Sequence, residues 1–237
     1  MAQMQPGVRQ MMLTADLVAR CHRDVADPGS IADSYDYFTE QDHRTAVDQL
    51  LASKPPGPFW VFGYGSLIWK PEFHPQERRR VVAHGWQRAF SLRLTRWRAS
   101  PEQYGYMMCL DQGGRCEGIA LRMPDQDLAS HLLRLLVREI GSHEAMEGAR
   151  WIDVHHAEGS FKALTFYAAP VRLDYYRANR PMEEIAHALA RACGHWGSGA
   201  EYLRNTVIHL EEMGIHDSYL WRLQEMVARE ILQLQRA

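Results

Sequence analysis

A glycine-containing stretch interrupts an apolar segment near residue 60. The segment reads "PFWVFGYGSLIWKPEF" from residue 58 to residue 73, with glycines at 63 and 65 and a serine at 66. Glycine inside a strand marks a bulge, a tight bend or a place where a ligand approaches the backbone. Consecutive N–H groups in such a loop bind a carboxylate or another anion, and the Ser66 hydroxyl would add one donor. A plain turn at the end of a strand is the alternative interpretation.

Spacing excludes two other chemistries for this glycine stretch. A nucleophile elbow, G-x-S-x-G, would need glycines where Tyr64 and Ile68 stand. A phosphate-binding loop would need G-x-x-x-x-G-K-[ST], which is absent. The stretch therefore predicts no serine nucleophile and no nucleotide site.

A glutamate closes an apolar stripe further along the chain. In "DQDLASHLLRLLVREI" the leucines fall three or four residues apart, as on the buried face of a helix, and Glu139 is the next position on that face. The leucines are Leu128, Leu132, Leu135 and Leu136. A glutamate on a core face is either paired or used in chemistry. Arg138 or Arg134 is a possible partner, so the stripe alone leaves both interpretations open.

Three further side chains are of types that take part in catalysis or ligand binding. Arg88 in "GWQRAF" has the geometry to bind a substrate carboxylate bidentately, but an alternating strand favours the solvent side for it. His155 and His156 are adjacent, so on a strand they face opposite sides and do not share a ligand. We assign the two histidines no role.

Composition limits the class of protein. The 237 residues are 46% hydrophobic and 24% charged, enough for a full core, and the formal net charge is -2. Basic residues do not form a sustained patch, which argues against nucleic acid as a partner. No signal peptide and no membrane-spanning run is apparent, so we expect a cytoplasmic protein. The sequence carries no signal for a particular oligomeric state.

The four cysteines do not indicate a metal site. Cys21, Cys109, Cys116 and Cys193 show no C-x-x-C spacing and no accompanying histidine pair. Cys109 and Cys116 flank "LDQGGR", which reads as a hairpin turn that would place them on facing strands. In a cytoplasmic protein reduced core thiols are expected. We predict no metal and no cofactor.

The chain divides into an N-terminal helical extension, residues 1–57, and a second domain, residues 58–237. The extension has two predicted helices, which follow possible caps at Thr14 and Thr39, and it ends in "KPPGP". Strand signals dominate from residue 59 to about 169. They are "WVFGY", "RRVVAH", "WQRAFSLRL", "YMMCL", "EGIALRM", "WIDVHH" and "FKALTFYA". After Pro170 the pattern is helical, with Pro181 in a first turn and Asp217 capping the last helix.

These motifs together carry a resemblance to a known family. "VFGYGSLIW", "GWQRAFSLRLT", "VREI" at a helix end and "SGAEYL" resemble the ChaC family of γ-glutamylcyclotransferases over roughly residues 59–225. The resemblance implies an α+β fold, a small mixed β-barrel with surrounding helices. It also implies cleavage of glutathione to 5-oxoproline and cysteinylglycine without a metal or organic cofactor.

The resemblance also assigns site residues by motif position. The catalytic glutamate falls on Glu139, and Tyr202 in "SGAEYLRN" matches a position near the substrate, although the same segment also reads as a helix start. The substrate-binding loop falls on Val61, Phe62, Gly63, Tyr64, Gly65, Ser66 and Leu67.

The implied chemistry explains why a glycine loop and one glutamate would suffice. The α-amine of a γ-glutamyl compound is tethered to its own γ-carbonyl, so no enzyme nucleophile is needed. A proton must leave the amine and reach the departing nitrogen, and one glutamate can serve both steps. A free glutamate would oppose proton transfer from the α-ammonium by about 5 kcal/mol, and burial on an apolar face would remove about half of that.

Two segments depart from the family pattern. After "LRLT" the chain has "RWRASPEQYGY" in place of a loop of the type R-G-T-P...P-G-R, and "IGSHEAMEGARW" replaces a shorter segment after Glu139. Both changes leave the cyclisation chemistry intact but concern the leaving group. Cyclotransfer on other γ-glutamyl peptides or amines therefore stays open. A non-catalytic sensor of γ-glutamyl compounds or transport regulator is the alternative outside enzymes.

Overall fold

The computed structural model describes residues 10–29, 36–168 and 175–234. A β-barrel forms the centre of the chain, and helices pack on its outer surface. Within the described ranges no helix combines the length and the apolar character needed to cross a membrane. The α+β fold with a small mixed barrel, expected from the sequence, is confirmed.

Five strands close the barrel in the order β1-β3-β2-β4-β5. Neighbouring strands are antiparallel except β1 and β5, which pair in parallel where Val61 faces Leu164. The strands are β1 (Trp60–Gly63), β2 (Glu77–Leu94), β3 (Gly105–Arg122), β4 (Ala149–His156) and β5 (Gly159–Phe166). Two short strands, β6 (Cys193–Gly194) and β7 (Gly197–Ser198), form a separate hairpin.

Four of the predicted strands prove to be halves of two long ones. "RRVVAH" and "WQRAFSLRL" are continuous in β2, and "YMMCL" and "EGIALRM" are continuous in β3. The predicted hairpin at "LDQGGR" is therefore wrong. Gly113 and Gly114 have φ values of 115° and 62° and form a bulge opposite Gly85 in β2. Cys109 and Cys116 lie on one strand, and all four cysteines are buried and unbridged.

Alternation along the strands separates two hydrophobic clusters. One cluster draws on all five barrel strands and on no helix, so it fills the barrel. Its members include Trp60, Phe62, Val81, Ile152 and Ala163. The second cluster joins the opposite faces of the strands to the helices, with Val61, Ile119 and Leu164 on the barrel side.

Seven helices surround the barrel in the described residues. They are α1 (Ala15–Ala19), α2 (Glu40–Ala52), α3 (Leu128–Glu139), α4 (His143–Met146), α5 (Met182–Arg191), α6 (Gly199–Glu212) and α7 (Ser218–Leu234). Thr14 and Thr39 cap α1 and α2 as predicted, and Asp217 caps α7 by accepting from the Leu220 N–H at 3.1 Å. Pro181 is the residue before α5, whereas Pro170 lies outside the described residues.

The described part of the N-terminal extension shares the main core. Leu13, Leu17, Val47 and Leu50 are buried in the same cluster as the leucines of α3. His43 of α2 lies 2.9 Å from the Thr39 carbonyl oxygen through Nδ1 and 2.9 Å from the Ile140 carbonyl oxygen through Nε2. The extension thus packs against the C-terminal end of α3, next to Glu139.

Candidate active site

The glycine loop, residues 63–67, follows directly from the end of β1. A single 3-10 turn (Ser66–Ile68) continues it, closed by the Ile68 N–H, which donates to the Gly65 carbonyl at 3.0 Å. Among the described residues no protein acceptor receives the N–H groups of Gly65, Ser66 or Leu67. Three successive backbone donors are therefore available to a ligand, as the sequence predicted for a loop of this kind.

Tyr202 of α6 lies against the loop at Gly65. A Cβ atom at residue 65 would stand 2.8 Å from the Tyr202 hydroxyl oxygen, so only glycine fits there. Tyr202 is 4% exposed as a residue. Its hydroxyl lies against the loop at Gly65, where it can donate to a ligand that the loop binds.

Glu139 is the last residue of α3 and lies beside the same loop. Leu132, Leu135 and Leu136 on its helix face are fully buried, as the stripe predicted. The Glu139 side chain itself is 22% exposed. Burial raises the pKa of its carboxyl group, with a smaller contribution from the Glu72 carboxylate, while Arg138 acts in the opposite direction.

Arg138 connects the glutamate to the loop. Its Nη2 donates to the Ser66 Oγ at 2.8 Å, its Nη1 donates to Glu72 Oε1 at 2.9 Å and to the Lys70 carbonyl, and its Nε lies 3.3 Å from Glu139 Oε1. The pairing with Arg138 considered from the sequence is thus present, while Arg134 bonds His131. Pairing and chemistry do not exclude each other here, because the same arginine also contacts the loop.

The charge of Glu139 affects the pKa of two tyrosine hydroxyls. Burial raises the pKa of the Tyr64 and Tyr202 hydroxyls, and the nearby Glu139 carboxylate raises both further. The Tyr64 hydroxyl donates to the Phe166 carbonyl at 2.8 Å. The loop, Glu139 and Tyr202 therefore form one electrostatic unit.

Three of the sequence-predicted loop residues serve packing through their side chains. Val61 and Leu67 belong to the cluster shared with the helices, and Phe62 lies in the barrel cluster. None of the three is more than 5% exposed. The part of the predicted loop that can meet a ligand is the backbone of residues 63–67 together with the Ser66 hydroxyl.

Arg88 is buried, so its predicted solvent-facing position on β2 is wrong. Its side chain is 3% exposed and pairs with Asp217, and the guanidinium also donates to two backbone carbonyls. Arg88 and Phe90, two residues later, lie on the same buried face of β2, because the bulge at Gly85 shifts the alternation of buried and exposed side chains by one residue. The two-residue spacing from Phe90 is the sequence signal that identifies Arg88 as a buried residue.

The segment that departs from the family pattern also reaches Tyr202. Arg98 Nη1 donates to Glu201 Oε2 at 2.8 Å, and its guanidinium carbon lies 5.4 Å from the centre of the Tyr202 ring. The neighbouring Trp97 has a φ of 60° and is 37% exposed. The sequence did not single out Arg98, since arginines of this kind usually lie at the surface, and it indicated Arg138 only as a partner of Glu139.

A cleft of about 470 Å³ has a lining that differs from the residues of the glycine loop. Residues of β2, of β3 and of the start of α7 line it, among them Arg88, Glu117 and Asp217. It includes no residue of the glycine loop, and neither Glu139 nor Tyr202. We therefore place the reacting groups at the loop and not in this cleft.

Comparison with known proteins gives one consistent result. The family described as ChaC-like protein matches residues 59–230. A curated relative from Escherichia coli (strain K12), named glutathione-specific gamma-glutamylcyclotransferase, is 32% identical over 210 residues, which cover 88% of this chain and 89% of that protein. A human relative, glutathione-specific gamma-glutamylcyclotransferase 1, is 30% identical over 152 residues, covering 62% of this chain and 68% of that one.

The fold comparison agrees with the sequence comparisons. A crystal structure of the glutathione-specific γ-glutamyl cyclotransferase from yeast superposes with a TM-score of 0.63 at 22% identity. The superposition covers 73% of this chain and 96% of the yeast chain. The same barrel and helices are thus found in both proteins.

Proposed function

The chain belongs to the ChaC family, and on that basis we propose that it is a γ-glutamylcyclotransferase that cleaves glutathione to 5-oxoproline and cysteinylglycine. The observation that carries the proposal is the junction made by Arg138. This side chain contacts both Glu139 and the Ser66 hydroxyl and so holds the proton-transfer group next to the free amides of the loop.

The reaction needs only the substrate's own atoms and a proton carrier. The α-amine nitrogen attacks the γ-carbonyl carbon, a carbon–nitrogen bond forms and closes the five-membered ring, and the original amide bond to cysteine breaks. Glu139 takes the proton from the amine and returns it to the departing nitrogen. No water, oxidant or enzyme nucleophile enters the balance.

The raised pKa of Glu139 suits this double role. A carboxylate of ordinary acidity would be a poor base toward an ammonium group, and burial narrows the difference between their pKa values. The neighbouring Glu72 acts in the same direction. Arg138 keeps the ionised form accessible, so the residue can both accept and release a proton.

The loop and Tyr202 bind the γ-glutamyl half. The N–H groups of Gly65, Ser66 and Leu67 would donate to an anionic oxygen, and the Tyr202 hydroxyl adds a donor on the other side of Gly65. Donors that are already fixed in the folded protein stabilise charge on a reacting oxygen without reorganisation.

The proposal is tested with purified protein and glutathione. We expect 5-oxoproline and cysteinylglycine in equal amounts, and we expect Glu139→Gln to lower kcat by about 10⁴-fold, because glutamine keeps the size of the side chain but carries no proton. Glu117→Gln is the matched control, since it alters a 19%-exposed carboxylate that pairs with Arg80 and Arg115 instead of with Arg138. A Glu139→Gln protein with more than a few per cent of wild-type kcat would place the proton carrier elsewhere.

The segment around Trp97 is the observation that supports a second class of substrate as the alternative to glutathione. The exposed Trp97 and Trp196 rings lie 5.9 Å apart beside Arg98, where the family pattern has a glycine-rich loop. Other γ-glutamyl peptides or amines are therefore the alternative substrates. Parallel assays with γ-glutamylalanine and γ-glutamylcysteine decide between them, since higher kcat/KM on either would displace glutathione.

The activity resides in residues 58–237 and takes place in the cytoplasm in this proposal. Four unbridged, buried cysteines fit a reducing compartment. Residues 1–57 form the extension in this proposal, and its described residues, 10–29 and 36–57, pack on the catalytic part.

Turnover should not depend on a metal ion. In the ranges that the structure describes, no three histidine, cysteine, aspartate or glutamate side chains are grouped as metal ligands. Because the tethered amine and Glu139 supply the nucleophile and the proton carrier, we expect kcat to be unchanged after dialysis against a chelator. Activity that disappears on dialysis and returns with one metal would contradict this.

A further inference from the structure

We propose that Arg88 is a positioning residue for cyclisation, which fixes the direction of the Gly65 N–H by holding the carbonyl of Tyr64. The inference rests on the proposed function and adds a residue that does not touch the substrate. It also gives Asp217, at the start of α7, a part in the reaction.

The Arg88 guanidinium bonds three different elements. Its Nε donates to the Tyr64 carbonyl oxygen at 2.6 Å, its Nη1 donates to Asp217 Oδ2 at 2.9 Å, and its Nη2 donates to the Glu117 carbonyl. The glycine loop, the N-cap of α7 and β3 are thereby tied to one buried side chain that is 3% exposed. The planar fork of arginine provides these three directions at once, and a lysine ammonium does not.

The Tyr64 carbonyl is the group through which this contact reaches the site. The Tyr64 carbonyl and the Gly65 N–H belong to one planar peptide unit, and in a trans peptide they point in opposite directions. Arg88 holds the oxygen on one side, so the N–H points away from Arg88. That N–H has no protein acceptor among the described residues.

Because residue 65 is glycine, the peptide unit between Tyr64 and Gly65 needs a contact from another residue to fix its orientation. Glycine lacks the steric limits that a Cβ atom imposes, so the peptide unit before it would otherwise rotate more freely. Glycine is nevertheless required at this position because the Tyr202 hydroxyl occupies the space of a Cβ. A charged donor on the carbonyl also polarises the peptide unit, which strengthens the N–H as a donor.

Asp217 holds Arg88 in turn. Its Oδ1 accepts from the Leu220 N–H at 3.1 Å and its Oδ2 accepts from Arg88 at 2.9 Å. One carboxylate thus both caps α7 and compensates the charge of the buried guanidinium. The order of contacts runs from α7 through Asp217 and Arg88 to the peptide unit at the loop.

The test compares Arg88→Lys with a variant that lowers stability by another route. Val227→Ala removes a fully buried side chain from the same helix α7 and leaves every bond of Arg88 in place. We expect kcat/KM of Arg88→Lys to fall by about 10²-fold, as when one donor to a reacting oxygen is lost, while Val227→Ala keeps kcat/KM within about twofold at temperatures below its Tm. If Arg88 had a purely structural role, Arg88→Lys and Val227→Ala would lose kcat/KM in the same proportion to their loss of Tm.

Asp217→Asn provides a second variant if Arg88→Lys does not fold. Asparagine is an equally good N-cap, so α7 should remain capped while the charge opposite Arg88 is lost. We expect kcat/KM to fall in Asp217→Asn as well, because Arg88 loses the charge that holds its guanidinium. If both single variants fold, their combined effect should be less than additive, because both changes act through the same contact. Wild-type kcat/KM in a folded Arg88→Lys or a folded Asp217→Asn would overturn the inference.

A measurement without turnover separates this inference from the proposed function. The Gly65 amide resonance in a ¹H–¹⁵N spectrum should shift in Arg88→Lys and stay in place in Val227→Ala. An unshifted Gly65 resonance with an active wild type overturns the role of Arg88 alone. A wild type that turns over no γ-glutamyl compound overturns the proposed function, and with it the role of Arg88 in cyclisation.

Discussion

Arg138 places one positive charge between two carboxylates. Glu72 Oε1 lies 2.9 Å from its Nη1 and Glu139 Oε1 lies 3.3 Å from its Nε. Burial is the main cause of the raised pKa of Glu139, because it penalises the charged carboxylate, and the Glu72 carboxylate adds to the rise. Arg138 acts in the opposite direction and does not cancel it.

Removing the Glu72 charge should move the pH profile of the enzyme. Glu139 must be ionised to accept the amine proton, so kcat/KM falls as pH drops through its raised pKa. Glu72 contributes to that rise. In Glu72→Gln the pKa of Glu139 should be lower, and the acidic limb of kcat/KM should shift toward lower pH. The profile is measured with glutathione, with Glu117→Gln as the control, and a shift to higher pH would contradict the role of Glu72.

At the residue level the sequence predicted the helix face of Glu139 correctly and the position of Arg88 wrongly, for a physical reason. Glu139 lies on a regular helix, where the leucine spacing alone determines which face is buried. Arg88 lies on a strand after a bulge, and a bulge exchanges the inward and outward faces. The position of a bulge is set by pairing with β3, which is not a local property of β2.

Among the structural elements, we expect the glycine loop to be the most sensitive to an added side-chain atom. Gly65→Ala would bring a methyl group to 2.8 Å from the Tyr202 hydroxyl oxygen. We expect kcat/KM to fall by about tenfold or more, since a displacement of the loop by a fraction of an ångström misaligns its amides. Gly141→Ala is the matched control, because a Cβ there meets no atom within 4 Å. Equal kcat/KM for the two variants would show that the loop accommodates the methyl group.

The predicted hairpin turn at "LDQGGR" is wrong for a related reason, because this segment is part of the continuous strand β3. The glycines at 113 and 114 adopt positive φ, which both a hairpin turn and a bulge require, so composition does not distinguish the two. Long-range pairing of β2 with β3 decides in favour of the bulge. Helix starts were predicted better, because the caps at Thr14, Thr39 and Asp217 act within a few residues.

At the scale of the whole molecule, the described residues before position 58 share one core with the helices around the barrel. Leu50 is 6% exposed and belongs to the cluster that contains the α3 leucines. Leu50→Ala should lower the free energy of unfolding by about 2–5 kcal/mol, because it leaves a cavity in that core. Below the unfolding transition we expect kcat within about twofold of wild type, since the apolar Leu50 side chain contributes packing and no polar group to the site.

Urea unfolding and glutathione turnover on the same samples check this expectation. Val137→Ala is the control, because Val137 is 59% exposed on α3 and its loss should change the unfolding free energy by less than about 0.5 kcal/mol. A large loss of kcat in a fully folded Leu50→Ala protein would mean that the extension takes part in the chemistry.

The bond between Arg88 and Asp217 also has a consequence for synthesis of the chain. The two residues are 129 positions apart, and Asp217 is followed by the whole of α7. A nascent chain on the ribosome has its glycine loop, Arg88 and Glu139 long before it has Asp217, so its guanidinium lacks the buried counter-charge until Asp217 has been synthesised. We therefore expect a nascent chain that stops before residue 217 to turn over no glutathione.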